Sequence, residues 1–130
     1  TGGTFAGCAA AFKQYNPEIQ CFLVEPEGAA VLSGGELTHP NHRIQGGGYS
    51  MTHLPLLKDG LLDGYIQISD EEAMQMSRRL AKEEGIFAGF SSGANLAAAL
   101  HLLKTSCRGK TVGIMMCDSG LKYLSTDLWA

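Results

Sequence analysis

The first apolar pattern in the chain has the spacing of a helix. Its members lie three or four residues apart, which places them on one helix face: Phe5, Cys8, Ala9 and Phe12. Asn16-Pro17 follows and ends the pattern, because proline disfavours helical backbone at the residue that precedes it. We therefore predict a helix that begins directly after the turn Thr1-Gly2-Gly3-Thr4.

Three short apolar runs predict strands at residues 19–24, 65–68 and 111–117. Between the first two runs the pattern continues briefly over residues 29–32, and the turn Ser33-Gly34-Gly35 then breaks it. No periodicity is visible from there to Pro55. We predict a long ordered loop in this stretch, and long loops inside compact domains are usually functional.

Two further helices are predicted between the second and third strands. Ser69 and Glu72 have the spacing of a capping box, and the apolar pattern after them runs to Gly85. Ser91-Ser92-Gly93 opens the next helix, which continues to Leu103 and is apolar on almost every side, so it should be buried. The alternation of helices and strands predicts an α/β fold with a parallel sheet. In such a sheet, ligands bind beyond the carboxyl ends of the strands.

Composition and charge narrow the class of protein. The chain has 130 residues, 45% of them hydrophobic and 18% charged, which is typical of one soluble globular domain. Its net charge of -3 and the absence of a basic run argue against a nucleic acid partner, and no apolar run is long enough to suggest a membrane span. The four cysteines form no C-x-x-C pair, so we expect reduced thiols and a cytoplasmic location.

The turn Thr1-Gly2-Gly3-Thr4 has the composition of a phosphate cradle. Its glycines allow the backbone N–H groups to face an anion, the threonine hydroxyls add donors, and the following helix contributes the positive end of its dipole. The residues match neither a G-x-G-x-x-G nucleotide motif nor a Walker loop. A plain structural turn would explain the same residues, so both interpretations remain open here.

Other candidate chemistry is weaker. His39, His42 and His53 are irregularly spaced within one loop, so we expect no metal site from them. Gly89-Phe90-Ser91-Ser92-Gly93 has the letters of a G-x-S-x-G motif, but no base adjoins Ser91 in the sequence, so Ser91 is not a persuasive hydrolase nucleophile. An N-terminal nucleophile at Thr1 is a further alternative, but an anion-binding turn accounts for the same residues.

Five motifs occur in a fixed order along the chain: Thr1-Gly2-Gly3-Thr4, Val24-Glu25-Pro26, Ile44-Gln45-Gly46, Glu84-Gly85-Ile86 with Gly89-Phe90-Ser91-Ser92-Gly93-Ala94, and the run from Asp118 to Thr126. Together they resemble the later part of the cysteine synthase and cystathionine β-synthase family, which includes the O-acetylserine sulfhydrylases. The family consists of fold-type II enzymes that use pyridoxal 5′-phosphate. The resemblance implies a three-layer fold like that of the tryptophan synthase β subunit, with a parallel sheet and flanking helices, present here incompletely.

The resemblance also implies cofactor-binding residues. Thr1, Gly2, Gly3 and Thr4 would hold the cofactor phosphate, Ser91 would hydrogen-bond the pyridine nitrogen, and Gly46 would lie beside the cofactor. A hydroxyl partner does not force that nitrogen to stay protonated, so the ring is a weaker electron sink. This suits loss of a substituent from the β-carbon of an amino-acid substrate, followed by attack of a thiol-type nucleophile.

The resemblance leaves the substrate open. Tyr49 resembles the cystathionine β-synthase version of its loop, in which the tyrosine faces the substrate, and Gly47 stands where the family generally has isoleucine. The stretch Ser91-Ser92-Gly93-Ala94-Asn95 is closer to the sulfhydrylase version. The implied reaction is cysteine synthesis from O-acetylserine, or another O-activated serine, and sulfide. Thioether synthesis of the cystathionine β-synthase type and a non-catalytic, anion- or partner-binding remnant are the alternatives.

The Schiff-base lysine of the family lies in an earlier segment, and none of the six lysines of this sequence matches its motif. We therefore expect residues 1–130 to be the later part of the cofactor-binding catalytic domain, to contain no catalytic residue and to be inactive when isolated. The full-length protein is expected to be a homodimer. A serine acetyltransferase tail is a further expected partner, since family members accept such a tail in the active-site cleft.

Overall fold

The structure, a computed structural model, describes all residues from 1 to 130. Its regular elements follow one another along the chain as α1 (Gly3–Tyr15), β1 (Phe22–Pro26), β2 (Gly64–Ile68), α2 (Asp70–Arg79) and α3 (Phe90–Lys104). A π-helical turn, Leu80–Glu84, extends α2, and a short 3-10 helix, Gly120–Tyr123, lies near the end of the chain. None of the helices is long and apolar enough to cross a membrane.

The two strands confirm the predicted parallel sheet. β1 and β2 pair in parallel, with Phe22 opposite Gly64 and Pro26 opposite Ile68. The first strand begins and ends a few residues later than the apolar run that predicted it. Residues 27–63 contain no helix or strand, so the irregular stretch is longer than the predicted loop and includes residues 29–32.

The third predicted strand, at residues 111–117, is wrong. The sheet has two strands, and this segment pairs with neither of them. A strand is defined by backbone pairing to a neighbour, and here side chains of α3 hold the segment instead. Asn95 donates from Nδ2 to the carbonyl of Met115 at 2.9 Å, and Ser92 Oγ accepts from the N–H of Cys117 at 3.0 Å.

The capping box at the start of α2 is confirmed. Ser69 Oγ accepts from the N–H of Glu72 at 3.3 Å, and Glu72 Oε2 accepts from the N–H of Ser69 at 3.0 Å. The hydrogen bond from the Ser69 backbone lowers the pKa of the Glu72 carboxyl, since it favours the ionised form. Gly85, with φ of 70°, ends the helical segment in the left-handed conformation that glycine adopts most readily.

The helices α2 and α3 cross at very close range. A Cβ atom at Gly93 would collide with the Ala73 carbonyl oxygen and with Ser77. Ser77 is fully buried at this crossing, where its hydroxyl donates to the Gly89 carbonyl at 2.9 Å. The crossing therefore fixes the start of α3 against α2.

Two small apolar clusters form the core. The first lies between the sheet, α2 and α3, and its buried members are Ile44, Ile68, Ala73, Ala94 and Ala98. The second joins the start of α3 to the last residues of the chain, and its buried members are Phe90, Tyr123 and Leu128. Arg78 of α2 fastens the same terminal segment by donating to the carbonyl oxygens of Asp127 and Leu128, at 2.6 and 2.8 Å.

Gly93→Ala should destabilise the protein by about 1–3 kcal/mol or more, because the added methyl group meets the backbone of α2, which cannot move away cheaply. Gly7→Ala is the matched control in α1, where a Cβ has no neighbour within 4 Å. The control should leave stability unchanged or raise it by up to about 1 kcal/mol. Urea unfolding of both variants checks this, and equal stabilities would contradict the close crossing.

Candidate functional site

The turn before α1 presents several free hydrogen-bond donors. Gly2 takes the left-handed conformation, with φ of 75°, and no side chain caps the helix that follows it. The N–H groups of Gly3, Thr4 and Phe5 find no acceptor within the chain, and neither threonine hydroxyl makes a hydrogen bond. Free N–H groups at a helix N-terminus are suited to an anion.

The neighbouring part of the long loop supports this turn. The N–H of Leu56 donates to the carbonyl of Thr1 at 3.2 Å. A Cβ atom at Gly2 would lie 3.2 Å from Leu54, so the loop packs tightly against the glycine. The loop leaves the donors of the first helical turn free.

Ser91 is the second residue of α3, and its half-buried hydroxyl makes no hydrogen bond to the protein. The residues on both sides of it are fixed. Gly89, the residue before the helix, accepts from Ser77 and donates its N–H to the Asp118 carbonyl at 3.1 Å. Ser92, the next residue, is fully buried and accepts from Cys117. The structure therefore holds a free hydroxyl on a fixed backbone.

The partly exposed Asp118 and the buried Tyr123 form a pair beside the start of α3. The Tyr123 hydroxyl donates to Asp118 Oδ2 at 2.6 Å, and the Lys122 ammonium lies 3.4 Å from the same oxygen. The other carboxylate oxygen, Oδ1, is buried without a partner. Burial, followed by the hydrogen bond to Asp118, raises the pKa of Tyr123 to about 12. A Cβ atom at Gly89 would collide with both side chains of the pair, so they press directly on the residue before α3.

The glycine loop, Gly46-Gly47-Gly48, lies near the carboxyl end of β1. Gly46 has φ of 88°, and a Cβ atom there or at Gly47 would have no neighbour within 4 Å, so the adjacent space is open. Gly48 packs against Pro26, the last residue of β1. The carbonyl oxygen of Gly48 lies 2.9 Å from Nε2 of His42. Tyr49 is 72% exposed. After burial, Asp118 and Cys117, Tyr49 makes the smallest contribution to the raised pKa of Tyr123.

The structure brings some of the sequence-predicted residues together. The turns that contain Ser91 and Asp118 share backbone hydrogen bonds. The turn Thr1-Gly2-Gly3-Thr4 contacts Leu54 and Leu56 instead, and no hydrogen bond joins it to Ser91.

Sequence reasoning assigned no role to Ser92, Asn95 or Tyr123. Ser92 and Asn95 are three residues apart, and both side chains reach the segment 115–117 from the same helix face. Two hydrogen-bonding residues at that spacing in an otherwise apolar helix are the signal that could have identified them. No local pattern pairs Tyr123 with Asp118.

Two histidines of the long loop make structural contacts. His39 lies 3.4 Å from Asp70, and His42 contacts the Gly48 carbonyl. Among the lysines, Lys13 pairs with Asp63 at 2.7 Å, and this contact lowers the pKa of that carboxyl. Asp63 also accepts from the N–H of Cys21 at 2.7 Å, so the pair ties α1 to the entrances of both strands.

Comparison with known proteins identifies the class. Residues 1–118 match the family model described as "Pyridoxal-phosphate dependent enzyme", and the chain belongs to this family. Its fold is that of the fold-type II enzymes, which confirms the family predicted from the motifs. The family depends on pyridoxal phosphate.

Within the family, the similarity is to cysteine synthases. The chain is 43% identical to a cysteine synthase from Staphylococcus aureus (strain Mu50 / ATCC 700699), over all of this chain and 41% of the relative. A cysteine synthase structure from Entamoeba histolytica matches 98% of this chain and 37% of its own, with a TM-score of 0.89 and 37% identity. An O-acetylserine dependent cystathionine β-synthase from Helicobacter pylori matches 99% of this chain and 41% of its own, with a TM-score of 0.88 and 39% identity. The chain thus spans about 41% of the length of the curated relatives it matches.

The residues present fit the cofactor of the family. Free N–H groups and hydroxyls at the start of α1 suit a phosphate dianion, and the unpaired hydroxyl of Ser91 suits a ring nitrogen. The space beside Gly46 is open, since a Cβ atom there would have no neighbour within 4 Å.

Tyr123 should make stability depend on alkaline pH. Its pKa is raised from 10.0 to about 12, so the folded state keeps a proton that the unfolded state loses. The stabilising contribution is complete below pH 10 and disappears as the pH rises towards 12. Urea unfolding between pH 10 and 12 should show that the free energy of unfolding falls more steeply with pH in the wild type than in Tyr123→Phe. Equal losses of stability in the two proteins would contradict the burial of Tyr123 and its hydrogen bond to Asp118.

Proposed function

We propose that residues 1–130 are the later part of the cofactor-binding catalytic domain of a longer enzyme, which makes cysteine from O-acetylserine, or another O-activated serine, and sulfide. The observation that carries the proposal is the free hydroxyl of Ser91 on a fixed helix start, in a chain that also presents free donors at the start of α1. The similarity to cysteine synthases supports the reaction class.

Each residue has a defined role in this proposal. Thr1, Gly2, Gly3 and Thr4 bind the cofactor phosphate through backbone N–H groups and hydroxyls, and the helix dipole adds to the attraction. Ser91 hydrogen-bonds the pyridine nitrogen and orients the ring. Gly46 leaves room beside it.

Pyridoxal phosphate, when bound, supplies the electron withdrawal that allows an amino-acid substrate to exchange its β-substituent. Ser91 adjusts this chemistry from the protein side. A neutral hydroxyl stabilises a protonated ring nitrogen much less than a carboxylate would, so it favours elimination and replacement at the β-carbon.

The lysine that would carry the cofactor is proposed to lie outside this chain. Lys13 is engaged by Asp63, and Lys122 lies beside Asp118. We therefore propose that the isolated 130 residues do not catalyse the reaction. We further propose that the complete enzyme is a cytoplasmic homodimer that can accept a serine acetyltransferase tail. The four cysteines are free thiols, which supports a reducing compartment.

A second candidate reaction is thioether synthesis of the cystathionine β-synthase type. It is favoured by the exposed Tyr49 and by the open space at Gly47, which a larger thiol acceptor could use. The Helicobacter pylori relative named for this activity supports it as well. A non-catalytic remnant that binds an anion or a partner is the alternative outside enzymology.

Ser91→Ala in the full-length protein should weaken pyridoxal phosphate binding about 2- to 10-fold, the usual worth of one hydrogen bond, and lower the rate of cysteine formation. Ser106→Ala is the matched control, since Ser106 is exposed beyond the end of α3. Cofactor absorbance during titration and the rate with O-acetylserine and sulfide are the measurements. A wild type without a cofactor band would reject the enzyme and favour the remnant.

Tyr49→Phe separates the two reactions. If a thiol amino acid such as homocysteine is the natural acceptor, loss of the exposed hydroxyl should reduce the rate with it several-fold and leave the rate with sulfide nearly unchanged. If Tyr49→Phe leaves the rate with each acceptor unchanged, Tyr49 has no part in substrate selection. Tyr15→Phe, at a residue that is 91% exposed, is the control.

A further inference from the structure

Side chains contact the start of α3 from two sides. The contact made by Asp118 and Tyr123 has no role in the function proposed above. On one side, Ser77 of α2 donates to the Gly89 carbonyl. On the other side, the partly exposed Asp118 and the buried Tyr123 form a hydrogen-bonded pair against Gly89, although neither side chain is needed to continue the helix or the sheet. The Asp118 side chain is partly exposed, but its Oδ1 atom is buried without a hydrogen-bond partner, which is costly for a polar atom and calls for a functional explanation.

The contacts of the pair lead directly to Ser91. The carbonyl of Asp118 accepts from the N–H of Gly89 at 3.1 Å, and the Gly120 N–H donates to Phe87 at 3.0 Å. The Tyr123 ring meets Phe90 edge to face, with ring centroids 5.2 Å apart and an interplanar angle of 88°. The pair thus touches two residues that precede Ser91, and Phe90 is 1% exposed.

The opposite neighbour of Ser91 is also fixed by this part of the chain. Ser92 accepts from the N–H of Cys117, the residue before Asp118. Residues 117–123 therefore contact residues on both sides of Ser91, the backbone of Gly89 and the side chain of Ser92, while the Ser91 hydroxyl itself is free. Preorganisation of this kind orients a group without consuming its hydrogen-bonding capacity.

We propose that Asp118 and Tyr123 are positioning residues, which hold the Ser91 hydroxyl in the orientation that it needs to bind the pyridine nitrogen of the cofactor. This assignment rests on the proposed function, because it names Ser91 as the cofactor contact. The hydrogen bond between Tyr123 and Asp118 fixes the turn at residues 118–123, and the turn fixes Gly89 and Phe90. The pair acts through Ser91 and touches neither substrate nor cofactor.

A double-mutant cycle in the full-length holoenzyme tests the assignment. Tyr123→Phe removes the hydroxyl and keeps the ring that packs on Phe90. In the wild-type background it should weaken pyridoxal phosphate binding about 3- to 10-fold and shift the visible absorbance maximum of the bound cofactor. In the Ser91→Ala background the same substitution should change the affinity less than about twofold, because the group that it positions is gone.

A purely structural role would give a different result. The loss of affinity would then be the same factor in both backgrounds, and this outcome overturns the proposal. Unfolding of the cofactor-free protein measures the structural effect separately. Tyr123→Phe should lower the free energy of unfolding by the same amount in the wild-type and Ser91→Ala backgrounds. Tyr15→Phe is the control, since its side chain is 91% exposed and should leave both affinities unchanged.

A second variant keeps the test decisive if Tyr123→Phe does not fold. Asp118→Asn retains an acceptor for the Tyr123 hydroxyl, so it should bind the cofactor within about twofold of the wild type, whereas Asp118→Ala should show the full loss. Equal losses in the two variants overturn the proposal. A wild type that fails to bind pyridoxal phosphate rejects the proposed function itself, and an unchanged affinity in Ser91→Ala rejects Ser91 as the contact. Either result also removes the basis for the positioning pair.

Discussion

The close crossing of α2 and α3 is the constraint on which the rest of the structure depends. There is no room for a side chain at Gly93, and the buried hydroxyl of Ser77 bonds the residue before α3. Because α2 begins at a capping box directly after β2, the crossing fixes the start of α3 relative to the sheet. A local packing contact thus determines where Ser91 lies.

The candidate site combines free donors with rigid support. The first turn of α1 offers unpaired N–H groups, and Ser91 offers an unpaired hydroxyl. Around Ser91 several polar groups make structural hydrogen bonds, as in Ser92 with Cys117 and Tyr123 with Asp118. Unpaired groups on fixed backbone are what a charged, planar cofactor requires, since binding then orders few further groups.

Much of the architecture follows from local sequence. The capping box, the glycine that ends the α2 segment and the apolar runs of both strands are short-range signals, and the structure confirms each of them. The family follows from motifs whose order is visible in the sequence, and the match over residues 1–118 confirms it. The cofactor-site roles of Thr1–Thr4, Gly46, Tyr49 and Ser91 remain predictions.

Tertiary structure decided what local patterns cannot encode. Residues 111–117 have a strand-like composition, yet no strand lies beside them, and Asn95 and Ser92 hold them instead. The pairing of Tyr123 with Asp118, and their contact with Gly89, depend on how the end of the chain folds back onto α3. The sequence by itself determined the helices, the two paired strands, the family and the candidate residues, because these depend on local patterns. Only the folded chain decided which residues support Ser91, because that depends on contacts between distant segments.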